Sequence, residues 1–197
     1  MTGDLATHKQ TPIDHRAPHV PGEPGLWVFP FGDMIVFAAF FAVIAHYRSS
    51  EAEAFASGQS QLNLGLGALN TVLLLSGSLF VVIGLERARN GSRHAARYYL
   101  AAAGSGICFI SMKLIEYHQV TSQGLSQMTS HFFMVYFVFT GIHLVHTTVA
   151  TVILGAMAYA SRGAATSSDI RLIEGGSCFW HLIDLLWIGL FSLLYLA

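Results

Sequence analysis

Charged residues are scarce in this sequence. Asp, Glu, Lys and Arg together make up 11% of its 197 residues, whereas about a quarter is usual in a soluble domain. Hydrophobic residues make up 53%, and the mean hydropathy is +0.54. This balance excludes an ordinary soluble domain and indicates an integral membrane protein.

The chain also lacks an excess of basic charge and has few cysteines. Its formal net charge of -1 provides no basic field for nucleic acid, so we expect no nucleic-acid partner. The two cysteines, Cys108 and Cys178, lie within or at the edge of apolar segments and form no CxxC pair. Neither a disulfide framework, a zinc site nor an iron-sulfur cluster is indicated.

The first 25 residues have no basic, apolar and small-residue regions in the order of a secretory signal. They are polar and contain four prolines, a composition that does not pack a core. We therefore predict two regions: a disordered cytoplasmic tail over residues 1–25 and a transmembrane domain over residues 26–197.

Five apolar segments follow the tail, and each meets the requirement of roughly 20 residues for crossing the hydrocarbon of a bilayer. They predict an all-α membrane protein, a bundle of five transmembrane helices. The predicted spans are residues 26–47, 64–85, 98–118, 131–159 and 177–197.

The lysines and arginines outside the spans are unevenly distributed. Eight lie in the tail, the second loop and the fourth loop, and Arg48 alone lies in the first loop. Positive charge marks the cytoplasmic side, so we predict a cytoplasmic N-terminus and an external C-terminus in the cell inner (cytoplasmic) membrane. The eight residues are Lys9, Arg16, Arg87, Arg89, Arg93, Arg97, Arg162 and Arg171.

Span five carries ionisable side chains at helical spacing. His181 and Asp184 fall on one face, and Trp180, Asp184 and Trp187 lie along one stripe. Ionisable groups inside a lipid-spanning helix are costly and mark a function or an obligatory protein contact. We interpret the two tryptophans as interface anchors or packing residues.

His181 and Asp184 are predicted to lie in the cytoplasmic half of the membrane, because span five runs outward, and Asp33 is a third candidate in that half. In the predicted orientation it lies about two turns in from the cytoplasmic face of span one. A carboxylate at that depth must be protonated, paired with a cation or facing a polar cleft. Asp33, His181 and Asp184 are therefore the candidates for proton-related or cleft residues.

A second polar layer is predicted near the external end of the bundle. Lys113 and Glu116 have the i,i+3 spacing of an ion pair within one helix, and Asn70 shares their depth. We expect the pair to be structural and to snorkel to the outer interface. Catalytic residues are not expected in this layer.

His143 and His146 lie on one face of span four, near the middle of the membrane. They could ligate a haem, but haem in a helix bundle usually takes axial histidines from two helices, and no matching second set is spaced for it. We favour hydrogen bonds between helices. The small-residue runs at 76–78 and 104–106 predict close approach of helices.

These motifs together resemble the subunit III family of haem-copper oxidases, in its five-helix form. The resemblance covers roughly residues 23–197. It is carried by Asn70-Thr71 with the run to Ser76-Gly77, by Glu116-Tyr117, by the T-G-x-H-x-x-H element at 140–146 and by the W-H-x-x-D-x-x-W element at 180–187.

The resemblance implies a subunit with no haem or metal of its own. It would pack against the catalytic subunit, which carries the haem and metal. It would also hold lipid in a cleft between its first two helices and the rest, and support proton uptake. Two departures, Gly32-Asp33 and Lys113, look like the NorE-type accessory proteins of nitric oxide reductases. The partner could therefore reduce oxygen or nitric oxide.

Three other interpretations fit parts of the sequence. A b-type haem protein would use His143 and His146. A small transporter would use the intramembrane carboxylates, but five spans do not divide into equal inverted halves. An intramembrane serine protease would pair Ser105 with His181.

Overall fold

The computed structural model describes residues 24–92, 94–162 and 167–196, with side chains described for residues 31–92, 94–162 and 169–196. The described residues fold into six α-helices and a terminal π-helical turn, without a strand. The helices are α1 (Pro24–Ser50), α2 (Ala52–Gln59), α3 (Leu64–Arg89), α4 (Ala95–Ser122), α5 (His131–Ala160) and α6 (Ser167–Phe191), and the π-helical turn is Ser192–Leu196.

Five of the helices are long and apolar enough to cross a membrane, which confirms the predicted all-α, five-span protein. The predicted disordered tail at residues 1–25 lies almost wholly outside the described residues. The orientation of the termini remains a prediction.

The structure corrects one boundary and adds one helix. The helix of span five was predicted to begin at residue 177 but begins at Ser167, because its polar first turns continue the helix and Glu174 reaches Arg89 on α3 at 2.9 Å. The short helix α2 was not predicted at all. It lies in the first loop and buries Phe55 against Phe132 of α5.

Local sequence explains where several helices begin and end. The side chain of Asn63 accepts a hydrogen bond from the backbone of Leu66 and starts α3, and Ser130 does the same for Phe133 at the start of α5. Gly124, in the turn after α4, has a φ of 78°, a backbone conformation that glycine adopts without a Cβ clash.

Helices α3, α4, α5 and α6 form a ring in which each packs against the next and α6 packs back onto α3. Helix α1 lies outside this ring against α5 and α6. A cleft that separates the first two spans from the other three was expected from the resemblance. That arrangement is wrong for the described residues, because α3 packs along α4 and α6 as part of the ring.

Glycines allow the ring to close, as the small-residue runs predict. A Cβ on Gly77 of α3 would lie 2.8 Å from the indole of Trp180, and one on Gly106 of α4 would lie 3.2 Å from the same ring. A Cβ on Gly84 would lie 2.8 Å from the ring of Tyr99. Large aromatic side chains therefore fill the space that the missing side chains leave.

Candidate functional site

Lys113 lies at the centre of a buried polar cluster near one end of the bundle. Its ammonium donates hydrogen bonds to Glu116 at 2.9 Å, to the Tyr195 hydroxyl at 2.7 Å and to the Tyr136 hydroxyl at 3.2 Å. Tyr195 in turn donates to the other carboxylate oxygen of Glu116. All three ammonium protons therefore have acceptors, and the ion pair predicted from the i,i+3 spacing is confirmed.

Aromatic rings complete the environment of this ammonium. Nζ of Lys113 lies 4.7 Å from the ring centroid of Tyr136, 5.2 Å from that of Trp187 and 5.6 Å from that of Tyr117. Each ring face attracts a cation at this range. The predicted snorkelling to the outer interface is wrong: Lys113 is 0% exposed, because its partners on α5 and the π-helical turn enclose it.

A polar cavity of about 490 Å³ adjoins this cluster. It lies between the turn before α3 and the end of α4, and Glu116 is one of its walls. Four carboxamide residues, Gln61, Asn63, Gln119 and Gln123, are the other polar residues that line it. The buried ion pair is therefore close to a wide, hydrophilic opening at one end of the bundle.

The second polar cluster joins α3 to α6. Ser78 donates a hydrogen bond to Oδ2 of Asp184 at 2.6 Å, and Nδ1 of His181 lies 3.2 Å from the same hydroxyl. The predicted shared face of His181 and Asp184 is thus confirmed, with Ser78 as their common partner. Ser105 instead bonds to the backbone of Ala102 on its own helix, which removes the pairing that a serine protease would need.

Asp33 contacts His146. Its Oδ2 lies 3.3 Å from Nε2 of the imidazole, and the two side chains are 14% and 20% exposed. The distance is that of an ion pair, although the angles are not those of a hydrogen bond. The two side chains therefore meet across helices α1 and α5, and Phe37 packs edge-on against the same imidazole.

His143 and His146 do not face a common site. His143 is enclosed by Phe109 of α4 and Trp187 of α6, with ring centroids 5.7 and 5.2 Å away. Its hydrogen bond goes to Thr147 on its own helix, so the predicted bond between helices is wrong for this residue. His146 turns instead toward Asp33 and α1, but its hydrogen bond also lies within its own helix, to the carbonyl oxygen of Ile142 at 2.8 Å, so the prediction is wrong for both histidines. The two rings are thus not arranged to hold one haem between them.

Two of the predicted polar residues are buried without a hydrogen-bond partner. Both side-chain amide atoms of Asn70 and the indole nitrogen of Trp180 have none within the described parts of the chain. Trp187, by contrast, donates from its indole to Thr71 on α3 at 3.0 Å. Both tryptophans are buried in the bundle, so the packing interpretation holds and the interface-anchor interpretation is wrong.

The sequence did not predict which hydroxyl groups form hydrogen bonds with the candidate residues. Ser78, Thr71, Tyr136 and Tyr195 each bond to a predicted residue, yet each reads alone as an ordinary residue of an apolar helix. Their partners lie on other helices, so spacing along one helix holds no signal for them. Within the described residues no group of three or more His, Cys, Asp or Glu could hold a metal ion.

Comparison with known proteins gives a consistent result. Residues 15–197 match the family model described as cytochrome c oxidase subunit III. The cytochrome bo(3) ubiquinol oxidase subunit 3 of Buchnera aphidicola (subsp. Schizaphis graminum) is 28% identical over 174 residues, which cover 87% of this chain and 92% of the relative. The protein of the same name from Pseudomonas putida is 29% identical over 177 residues, covering 87% and 84%. The cytochrome c oxidase subunit 3 of Synechocystis sp. is 27% identical over 175 residues, covering 87% and 74%. The chain belongs to the cytochrome c oxidase subunit III family.

Proposed function

We propose that this chain is a non-catalytic integral membrane subunit of a haem-copper oxidase complex. The observation that carries the proposal is the match to the subunit III family over residues 15–197, which includes all five spans. In this proposal the haem and metal belong to the catalytic subunit, and this chain stabilises that subunit in the cell inner membrane.

The polar clusters support a structural role. Lys113 and Glu116 join α4 to α5 and to the C-terminal turn, and Ser78 joins α3 to α6. Each cluster thus links different helices, and hydrogen bonds between helices help to specify one arrangement of a bundle. A rigid five-span body is what a subunit needs in order to support a partner.

Asp33 is the candidate for support of proton uptake. Its carboxylate is next to an imidazole, the side chain whose charge changes most readily near neutral pH, and both groups are partly accessible. We propose that this pair of side chains supports proton uptake by the complex.

The test is purification of the full chain in mild detergent through a tag on its C-terminus. We expect a haem-containing subunit to co-purify, and its consumption of oxygen or of nitric oxide identifies the acceptor. Absence of any co-purifying haem protein refutes the proposal. Phosphorus analysis of the same complex tests for bound lipid.

A second test of the proposed function compares the complex with and without this chain. A catalytic subunit prepared without it should lose turnover faster with time than the intact complex, and re-addition of the chain should restore its durability. Equal decline with and without the chain contradicts a supporting role.

A further inference from the structure

His181 lies partly exposed near the middle of a candidate membrane span. It is close to the midpoint of the 28-residue span Asp169–Leu196, and its partner Ser78 is close to the midpoint of the span Leu64–Arg89. Both side chains are intermediate in burial, whereas Asp184 beneath them is 5% exposed. A polar spot therefore reaches the surface of the bundle near the midpoints of two candidate spans, where a bilayer of ordinary thickness would consist of hydrocarbon.

The hydrogen bonds among Ser78, His181 and Asp184 show which atoms of this cluster lack a partner. The Ser78 hydroxyl has one proton, which it donates to Asp184, so it accepts from Nδ1–H of His181. In the neutral ring Nε2 then carries no proton and is a hydrogen-bond acceptor. Within the described residues, Nε2 of His181 and Oδ1 of Asp184 have no hydrogen-bond partner.

Hydrocarbon cannot supply that partner. A polar atom left unpaired in an apolar medium is destabilising by several kcal/mol on transfer scales, and polar side chains inside membranes almost always face protein or water. The polar spot at Asp33 and His146 differs, because those two groups contact each other. His181 is therefore the point on the outer surface where a missing donor is most clearly indicated.

The surroundings of His181 have the form of a helix-docking surface. One turn from Ser78 on α3, Leu75 and Val82 are 46% and 52% exposed, and on α6 Leu185 and Ile188 are 61% and 42% exposed. These four apolar side chains border one polar group. Interfaces between transmembrane helices combine close apolar packing with isolated hydrogen bonds in the same way.

We propose that this surface, defined by Leu75, Ser78, Val82, His181, Leu185 and Ile188, binds a transmembrane helix of the catalytic subunit. That helix donates a hydrogen bond to Nε2 of His181 from a hydroxyl, a carboxamide or an indole. The inference rests on the proposed function, because it assigns the face by which this subunit meets its partner.

Photo-crosslinking in native membranes tests it. Leu185→p-benzoylphenylalanine places the reactive group on this surface without altering the polar cluster. Ile107→p-benzoylphenylalanine is the matched control: Ile107 is 58% exposed at the middle of α4, the helix diagonally opposite α6 in the ring. We expect an adduct with the catalytic subunit from position 185 and none from position 107.

The outcomes separate this inference from the proposed function. One outcome is that the catalytic subunit co-purifies but the adduct forms from position 107 instead, or that position 185 reacts only with lipid or with a second copy of this chain. That outcome refutes the proposed docking surface and leaves the proposed function intact. If no catalytic subunit co-purifies, both are wrong.

A second variant tests the hydrogen bond itself. His181→Phe keeps a ring of similar size but has no acceptor, and hydrogen bonds between membrane helices are worth about 1 kcal/mol, so the partner should dissociate roughly three- to tenfold more readily in a detergent titration. His181→Gln keeps an acceptor and should recover part of that loss. If the wild type and His181→Phe retain the partner equally, His181 does not accept a hydrogen bond from the partner helix.

Discussion

Replacing Lys113 with methionine removes a buried charge while keeping an unbranched side chain of similar length. In the folded protein it leaves the Glu116 carboxylate with one remaining donor, the Tyr195 hydroxyl, at a position that is 1% exposed. Breaking a buried ion pair from one side is destabilising by about 3–5 kcal/mol, because an uncompensated charge is left behind. We expect the lower end of that range, since a chain unfolded within the bilayer also finds polar partners.

Glu116→Gln should destabilise the protein by a similar amount, because it leaves the ammonium unpaired instead of the carboxylate. The Lys113 ammonium would keep its two tyrosine hydroxyls and the surrounding rings, but no counter-charge. The double variant removes both charges, and the carboxamide at position 116 can still accept a hydrogen bond from the Tyr195 hydroxyl. We expect it to be destabilised by less than either single variant, so that the two losses are far from additive.

The assay is reversible unfolding of the purified chain in mixed micelles, together with the yield of membrane-inserted protein for the two single variants and the double variant. Arg89→Met is the matched control, because the Arg89 side chain is 54% exposed in its ion pair with Glu174. An exposed pair contributes under about 1 kcal/mol. Additive losses in the double variant, or an Arg89→Met loss as large as that of Lys113→Met, would refute the reasoning.

Three further predictions address topology, cofactor and function. A reporter fused at Ala197 should be external and one inserted within residues 87–97 cytoplasmic, as the charge distribution predicts; finding both on the same side contradicts it. The chain purified without partners should be colourless, because His143 and His146 face different helices, and a stoichiometric Soret band lost in His146→Ala would show the opposite. Asp33→Asn should preserve assembly, since a neutral amide can still contact His146, while altering the turnover of the complex or its decline with time. Loss of assembly, or unchanged turnover across pH, would make Asp33 a packing residue.

The spans were predictable because lipid imposes a simple length and polarity rule on each segment separately. The predicted starts at residues 64 and 131 coincide with those of α3 and α5, where Asn63 and Ser130 cap the helix. The start of α6 was missed by ten residues, because the polar turns from Ser167 onward are helical without being apolar. Hydropathy reports which residues tolerate lipid, not where a helix begins.

The Lys113–Glu116 pair and the shared face of His181 and Asp184 were predictable for a related reason. Both depend on spacing within one helix, and 3.6 residues per turn places such residues side by side whatever the rest of the chain does. Their burial was not predictable. Lys113 was expected at the outer interface, and it lies inside because Tyr136 and Tyr195 come from other elements to enclose it.

By itself, the sequence determined the number of spans, the all-α class, the family motifs and the helix faces that Lys113 shares with Glu116 and His181 with Asp184. Tertiary structure alone decided which helices are neighbours, and therefore that Asp33 meets His146, that Ser78 lies between His181 and Asp184, and that α3 joins the ring instead of bordering a cleft. The physical reason is that lipid is equally apolar around every helix. Helix pairing in a membrane then depends on shape and on a few hydrogen bonds between distant segments, and neither is written in the pattern of any one of them.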